Sequence, residues 1–309
     1  MISVLGWVAA GLCLLFAVLR IAAVDRIVPL AQFMAFTPYV VPTAFGLTVA
    51  TFALGLAGPG VTAALATAAL AAVVAPRLVK RAPAVDGRPL RVLTANLLGE
   101  CADPAALVAT AREQRVDLLA VQELTPAAVE RLDEAGIGEV FPHRALHPAP
   151  RSHGSGIFSR YPLSNGAVRV HPCQKRQSSA TVAVPGAGPL RVESAHPSAP
   201  NFHNTACWRN DLRAQPAAGD GGPPAILLGD FNATLDHGLL RRVIAAGYRD
   251  AGAATGRGLR PTWPFAIHHY PPVTLDHVLV DRRLGITQYT VIKVPGSDHR
   301  AVLTEVTVP

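Results

Sequence analysis

The sequence predicts an α+β domain preceded by an apolar, all-helical N-terminal region. Two observations carry the first part. From residue 90 on, two strand–helix units give way to a long series of strands with few helices, the pattern of segregated α and β layers. The segments taken as strands are apolar runs of strand length. The third observation concerns charge. No Asp, Glu, Lys or Arg lies between Arg26 and Arg77 in this chain of 309 residues, half of which are hydrophobic.

A membrane-spanning helix needs about 20 apolar residues. The uncharged stretch before Arg20 has room for one span, and the stretch from residue 27 to 76 has room for two. Gly58-Pro59-Gly60 divides the longer stretch, because Pro-Gly pairs make turns. Spans are therefore expected near residues 2–24, 37–57 and 60–76. A secretory signal fits less well, since it wants a basic leader and nothing basic precedes Arg20. The expectation is a multi-pass protein of the cell membrane, with residues 1–81 as the anchor, 82–309 as a separate C-terminal domain, and the lipid bilayer as a partner. Arg20, Arg26, Arg77, Lys80 and Arg81 flank the spans on one side. The positive-inside rule then puts the C-terminal domain in the cytoplasm, although the counts are small and the side stays open.

Residues 82–88, with Pro83 and Gly87, read as a linker. Strands are expected over 90–97 and 116–122. Each is followed by a helix start: Asp103-Pro104 and Thr125-Pro126 place an N-cap before a first-turn proline. Further strands are expected over 156–158, 180–184, 190–195, 225–228, 273–280, 286–294 and 301–308, with a helix over 236–246.

The formal net charge is +7. A mildly basic surface suits an anionic substrate, but solubility alone explains it equally well. Four cysteines, Cys13, Cys101, Cys173 and Cys207, include no C-x-x-C pair, so a zinc knuckle is not suggested. Cys173 and Cys207 have the option of pairing in an oxidising compartment.

Polar islands end the apolar runs. Asn96 closes Arg-Val-Leu-Thr-Ala-Asn, Glu123 closes Leu-Leu-Ala-Val-Gln-Glu, and His196 stands in Val-Glu-Ser-Ala-His-Pro. Asp230 and Asn232 lie in Gly-Asp-Phe-Asn, Asp276 in Thr-Leu-Asp-His, and Asp298 with His299 in Gly-Ser-Asp-His. A carboxylate at the mouth of a buried strand is costly unless paired or bound to a cation, and Mg²⁺ takes one or two carboxylates. Residues two apart in extended chain face the same side, so Asp230 and Asn232 point together. The acid suits activation of water and the amide suits charge on phosphorus. A histidine oriented by a carboxylate suits acid–base work. Each piece alone also has a plain structural reading: a turn, a cap or a core histidine.

Taken together, in this order, these motifs resemble the endonuclease/exonuclease/phosphatase superfamily, from about Leu90 to Val308. The central run Gly154–Pro162, which contains Arg160, resembles the family's glycine-rich strand. The resemblance implies a four-layer α/β/β/α sandwich (DNase I-like) and dependence on Mg²⁺ or Mn²⁺. It implies metal binding by Asn96, Glu123 and Asp298, and catalytic roles for His196, Asp230, Asn232, Asp276 and His299. Arg160 and Trp263 are candidate substrate contacts. No second acid that would partner His196 is visible, and no basic–aromatic loop for inserting into DNA.

The expected function is a membrane-tethered, divalent-metal-dependent phosphoesterase. Its substrate is a phosphoester, either nucleic acid or a phospholipid headgroup, and no protein partner is evident. The alternative is a non-catalytic membrane-anchored binding protein on the same sandwich. A transporter is disfavoured, because the long apolar stretch lacks the ionisable residues that mark transport paths.

Overall fold

A computed structural model describes residues 1–219, 221–265 and 270–309. Helix α1 (Ile2–Ile21), the short α2 (Leu30–Met34), α3 (Thr37–Ala53) and α4 (Ala57–Val74) form the N-terminal region, closed by a 3₁₀ turn at Ala75–Leu78. The C-terminal region then runs β1 (Arg88–Asn96), α5 (Pro104–Glu113), β2 (Leu118–Gln122), α6 (Pro126–Glu134), α7 (Ile137–Val140), β3 (His143–His147) and β4 (Ser155–Ser159). The next elements are β5 (Leu163–Val170), β6 (Arg176–Ala183), β7 (Pro189–Ala195), α8 (Thr205–Arg213), β8 (Ala225–Asp230) and α9 (Gly238–Ala245). The chain closes with β9 (Tyr248–Asp250), α10 (Ala251–Ala254), β10 (Asp276–Asp281), β11 (Gly285–Lys293) and β12 (Arg300–Val308).

Two six-stranded sheets result, ordered β11-β12-β1-β2-β4-β3 and β5-β6-β7-β8-β10-β9. Side chains alternate across each strand, and in the fully buried strands β2, β4, β8 and β10 both faces are covered. Leu90, Val92, Leu118 and Ile157 of the first sheet meet Val182, Val192, Ile226 and Val278 of the second. Leu93, Leu119 and Phe158 face outward onto Leu107, Val108 and Leu132 of α5 and α6. Leu227 and Leu279 face outward onto Trp208 of α8 and Leu240 of α9. Burial on both faces explains why the strands read as continuous apolar runs. The layers are helix, sheet, sheet, helix, as the resemblance implied.

Both expected helix starts are present. The Asp103 side chain accepts from the Ala105 and Ala106 amides, and Thr125 accepts from the Ala128 amide. The helix expected over 236–246 starts two residues later, because Asp236 is committed elsewhere. The strand expected from 273 begins at Asp276, since Val273 pairs with Trp263 in an isolated bridge.

Of the three expected spans, two are helices long and apolar enough to cross a membrane, Ile2–Ile21 and Ala57–Leu78. The middle one is α3, with 17 residues. At 1.5 Å per residue it is about 26 Å long, short of the ~30 Å hydrocarbon core. An anchor of three crossings is therefore not supported. Only 11% and 28% of the apolar windows of the two longer helices are buried, so neither is the packed core helix of a soluble domain.

The N-terminal helices are docked on the second sheet's helical layer. Arg20 Nε donates to Asp236 Oδ1 at 2.8 Å, and Arg77 grips both Asp236 oxygens at 2.6 and 2.7 Å. All three side chains are buried. Asp25 accepts from the Gly238 amide at the start of α9, and His237 donates to the Ala31 carbonyl at 2.6 Å. Ala31 itself is fully buried in the core beneath α8 and α9.

Candidate active site

Strand direction brings the polar islands to one edge of both sheets. β1 and β2 run parallel and end at Asn96 and Gln122, with Glu123 next. β7 and β8 run parallel and end at Ala195 and Asp230, with His196 next. β10 is antiparallel to β8 and starts there, with Asp276 opposite Asp230. β12 is antiparallel to β1, so Asp298 and His299 enter at the same edge. Gly229 makes the close approach possible. Its φ is +155°, and a Cβ there would lie 1.9 Å from the Ala195 carbonyl oxygen.

The Asn96 amide lies between two carboxylates, donating to Asp230 Oδ2 at 3.1 Å and Glu123 Oε1 at 3.3 Å. Ser297 holds this strand end by donating to the Asn96 carbonyl. Asp230 Oδ1 accepts from the Asn232 amide at 2.8 Å, and the Asn232 side chain donates to the Pro197 carbonyl. Glu123 and Asn232 both adopt left-handed backbone, with φ of +59° and +48°. That conformation is uncommon outside glycine, and such residues cluster at functional sites.

His299 Nδ1 donates to Asp276 Oδ2 at 2.8 Å, and its Nε2 lies 3.6 Å from Asp230 Oδ2. Burial alone would lower its pKa. The charges of Asp276 and Asp230, with the hydrogen bond from Asp276, prevail and raise it to about 10. Burial raises the Asp230 pKa to about 6, against the pull of His299. His196 Nε2 lies 3.7 Å from Asp230 and 3.8 Å from Glu123. Burial, then the charge of Lys175, hold it well below the ordinary histidine range, so the imidazole is neutral.

Glu123, His196, Asp230 and His299 line a cleft of about 390 Å³, together with Asp298, Asn232 and Trp263. Trp263 Nε1 donates to Asp298 Oδ2 at 3.0 Å. Asp276, buried behind His299, completes the set. The structure thus gathers Asn96, Glu123, His196, Asp230, Asn232, Asp276, Asp298, His299 and Trp263. It does not bring Arg160 to them. Arg160 follows Ser159, which pairs with Leu118, whereas Ser155 pairs with Gln122 beside the cleft. The strand separates Arg160 from the cleft by about 16 Å, so the expected substrate contact is corrected.

Lys175 was missed. Its Nζ lies 3.4 Å from the His196 ring and donates to the Ser152 carbonyl at 2.8 Å. In sequence it is one half of a Lys-Arg pair beside a glutamine, which reads as solvated surface. The acid sought for His196 is not present as a hydrogen-bonded partner among the described residues; Lys175 stands beside it instead. Cys173, at the cleft wall, is bonded to Cys207, which answers the pairing the sequence left open.

The donor set fits a hard divalent cation, which prefers oxygen ligands. Carboxylate oxygens of Glu123 and Asp230 converge on one amide, and Asp276 Oδ1 is buried with no hydrogen-bond partner among the described residues. One ligand atom from each of Asp230, Asp276 and His299 also lies within 4.8 Å of the others.

Residues 93–299 match the sequence profile of the Endonuclease/Exonuclease/phosphatase family. No curated protein sequence matches the chain. Among solved structures, the endonuclease/exonuclease/phosphatase from Beutenbergia cavernae DSM 12333 is 20% identical, with a TM-score of 0.57 over 72% of each chain. Humanized D. rerio TDP2 carrying 14 mutations is 16% identical, with a TM-score of 0.59 over 71% of this chain and 99% of that one. D. rerio TDP2 complexed with a single-strand DNA product is 17% identical, with a TM-score of 0.57 over 71% and 99%. At these identities the structural likeness speaks to the fold alone.

Proposed function

The chain belongs to the endonuclease/exonuclease/phosphatase family, and from that premise we propose that it is a membrane-tethered, divalent-metal-dependent phosphodiesterase. The observation that carries the reading is the convergence of Asn96, Glu123, Asp230, Asp276 and His299, drawn from two sheets, on one cleft. The single-strand DNA product in the D. rerio TDP2 complex is consistent with a phosphodiester substrate class.

Glu123 and Asn96, with Asp298 of the same cleft, would hold Mg²⁺ or Mn²⁺. The chemistry such an ion supplies is Lewis-acid polarisation of a phosphoryl oxygen. His299 donates a hydrogen bond from Nδ1 to Asp276 and its pKa is raised to about 10, so its imidazolium serves better as a fixed positive group than as a ligand for a hard ion. Asp230, poised near neutrality by burial, orients the attacking water and accepts its proton. The water oxygen bonds to phosphorus as the ester P–O bond opposite it breaks, and the departing oxygen takes a proton from solvent. His299, Asn232 and Lys175 stabilise the charge that develops on the phosphoryl oxygens. His196 is neutral and contributes an N–H donor rather than an acid. The products are a phosphomonoester and an alcohol.

The N-terminal helices tether the domain. Their exposed surface is strongly apolar, including Leu5, Trp7, Leu12, Leu15, Phe45 and Leu65, and contiguous apolar surface of this kind marks a membrane or protein contact. The Cys173–Cys207 disulfide favours the oxidising side of that membrane. The test is hydrolysis of bis(4-nitrophenyl) phosphate by the detergent-solubilised full chain. Turnover that EDTA removes and Mg²⁺ or Mn²⁺ restores is the expected result. Absence of turnover with either ion counts against the reading.

A further inference from the structure

An apolar groove of about 590 Å³ lies between the N-terminal helices and the catalytic domain. One wall is Ala31, Phe33, Ala35 and Phe36; the other includes Val273 and Leu275. The groove shares Ala199, Asn201, Asn232 and Trp263 with the catalytic cleft. The two are therefore one continuous depression, polar at the catalytic end and apolar at the other. Hydrolysis of a small diester needs no apolar chamber beside the phosphate site. A substrate with a long hydrocarbon portion does, because each buried methylene adds to binding.

The position of the groove identifies the hydrocarbon. Arg20 ends α1, Arg77 ends the helix Ala57–Leu78, and both land on Asp236 of the catalytic domain. The segment carrying Ala31, Phe33 and Phe36 follows α1 directly, so it lies where the apolar helices meet the catalytic domain. That is the lipid–water boundary when the helices insert. The rim carries exposed aromatic side chains: Phe33 is 55% exposed and Tyr270 59%. Tryptophan and tyrosine are favoured at this boundary, and Trp263 and Tyr270 both line the groove.

We propose that the substrate is a lipid phosphodiester, whose hydrocarbon chain lies in the Phe33–Phe36 groove while its phosphate enters the Asp230–His299 cleft. This rests on the phosphodiesterase reading above and specifies its substrate class. Asn232 and Trp263 sit at the junction, where the headgroup linkage passes from the apolar to the polar end.

The experiment compares methyl and decyl 4-nitrophenyl phosphate as substrates of the full chain in maltoside micelles with Mg²⁺. The expected result is a kcat/KM that favours the decyl ester, growing by about threefold to fourfold per methylene held in the groove. Ala35→Trp, which fills the groove, and Phe36→Ser, which removes part of its wall, should each cut the decyl-to-methyl ratio by about tenfold or more. Wild type and variants share the same micelles, so partitioning cancels from the comparison, and either folded variant suffices. A tail-independent kcat/KM, or an unchanged ratio in the folded variants, overturns the groove assignment and leaves the phosphodiesterase reading standing. Failure to hydrolyse either ester with Mg²⁺ or Mn²⁺ overturns both. Preferred cleavage of a single-stranded oligonucleotide, weakened by the same variants, overturns it in favour of nucleic acid.

Discussion

His299 donates from Nδ1 to Asp276 Oδ2 at 2.8 Å, with both side chains buried. The pair joins the first sheet to the second: His299 immediately precedes β12, and Asp276 opens β10. The Nε2 of the same ring faces Asp230 at 3.6 Å. One imidazole therefore lies between two carboxylates, and its charge state is set by both.

Removing the partner should be felt in catalysis. Asp276→Asn is expected to lower kcat by about 10²- to 10⁴-fold, the usual worth of an orienting or acid–base group. His299→Ala should cost a similar factor, and the double variant little more than either single one, because the two act as a unit. Steady-state kinetics on a soluble phosphodiester checks this. Independent, multiplying losses would show that the pair does not act together.

The same pair predicts a pH dependence of stability in EDTA. The folded-state pKa of His299 is raised above its unfolded value, to about 10. Its contribution is therefore present in full below about pH 6.5 and is lost as pH rises through about 10. Melting temperature should fall over that window, and His299→Gln should flatten the fall. An equal slope in the variant would assign the dependence to other groups.

The buried Asp236 cluster makes a separate prediction. Arg20 and Arg77 both pair with this one carboxylate, and removing one member of a buried ionic cluster leaves uncompensated charge. Asp236→Ala should destabilise the full chain by about 3–5 kcal/mol. The carboxyl's pKa is lowered: burial would raise it, but the hydrogen bond and charge of Arg77, then those of Arg20, outweigh burial. Its stabilising effect is then present above the ordinary carboxylate pKa and disappears only as pH falls through the lower folded value. Thermal melts in detergent read both effects. A variant as stable as the parent would mean the helices are held by other contacts.

Thiol chemistry gives a fourth prediction. Cys101 is exposed, while Cys173 and Cys207 are bonded to each other. Maleimide should label Cys101 without reductant, and labelling at Cys173 and Cys207 should appear only after reduction. Ready labelling of Cys173 in unreduced protein isolated from membranes would contradict the disulfide and the side of the membrane it favours.

Much of this was legible in the sequence because a sheet buried on both faces must write itself as apolar runs, and polar residues ending those runs stand out. Asn96, Glu123, Asp230 and His299 were visible for that reason. Strands that lack the apolar signal were not. β5 is an edge strand, exposed along nearly its whole length, and β3 is only half-buried. α8 hides because only Trp208 and Leu212 give it a buried apolar face. Lys175 looked like surface because nothing local reports that it is buried. Arg20 and Arg77 read as charges flanking spans, and their shared partner lies 216 and 159 positions away. Pairings of that range are set by tertiary packing, which local pattern does not carry. Arg160 failed for a topological reason: it is close in sequence to the cleft-side end of β4, but the antiparallel strand carries it away.

The most direct measurement is kcat/KM of the full chain on a soluble phosphodiester with Mg²⁺, for wild type, Asp230→Asn and Glu123→Gln. The account predicts turnover that EDTA abolishes. It also predicts a loss of about 10²-fold or more in Asp230→Asn, and a raised metal requirement in Glu123→Gln. Undiminished turnover in Asp230→Asn, or in EDTA, would contradict it.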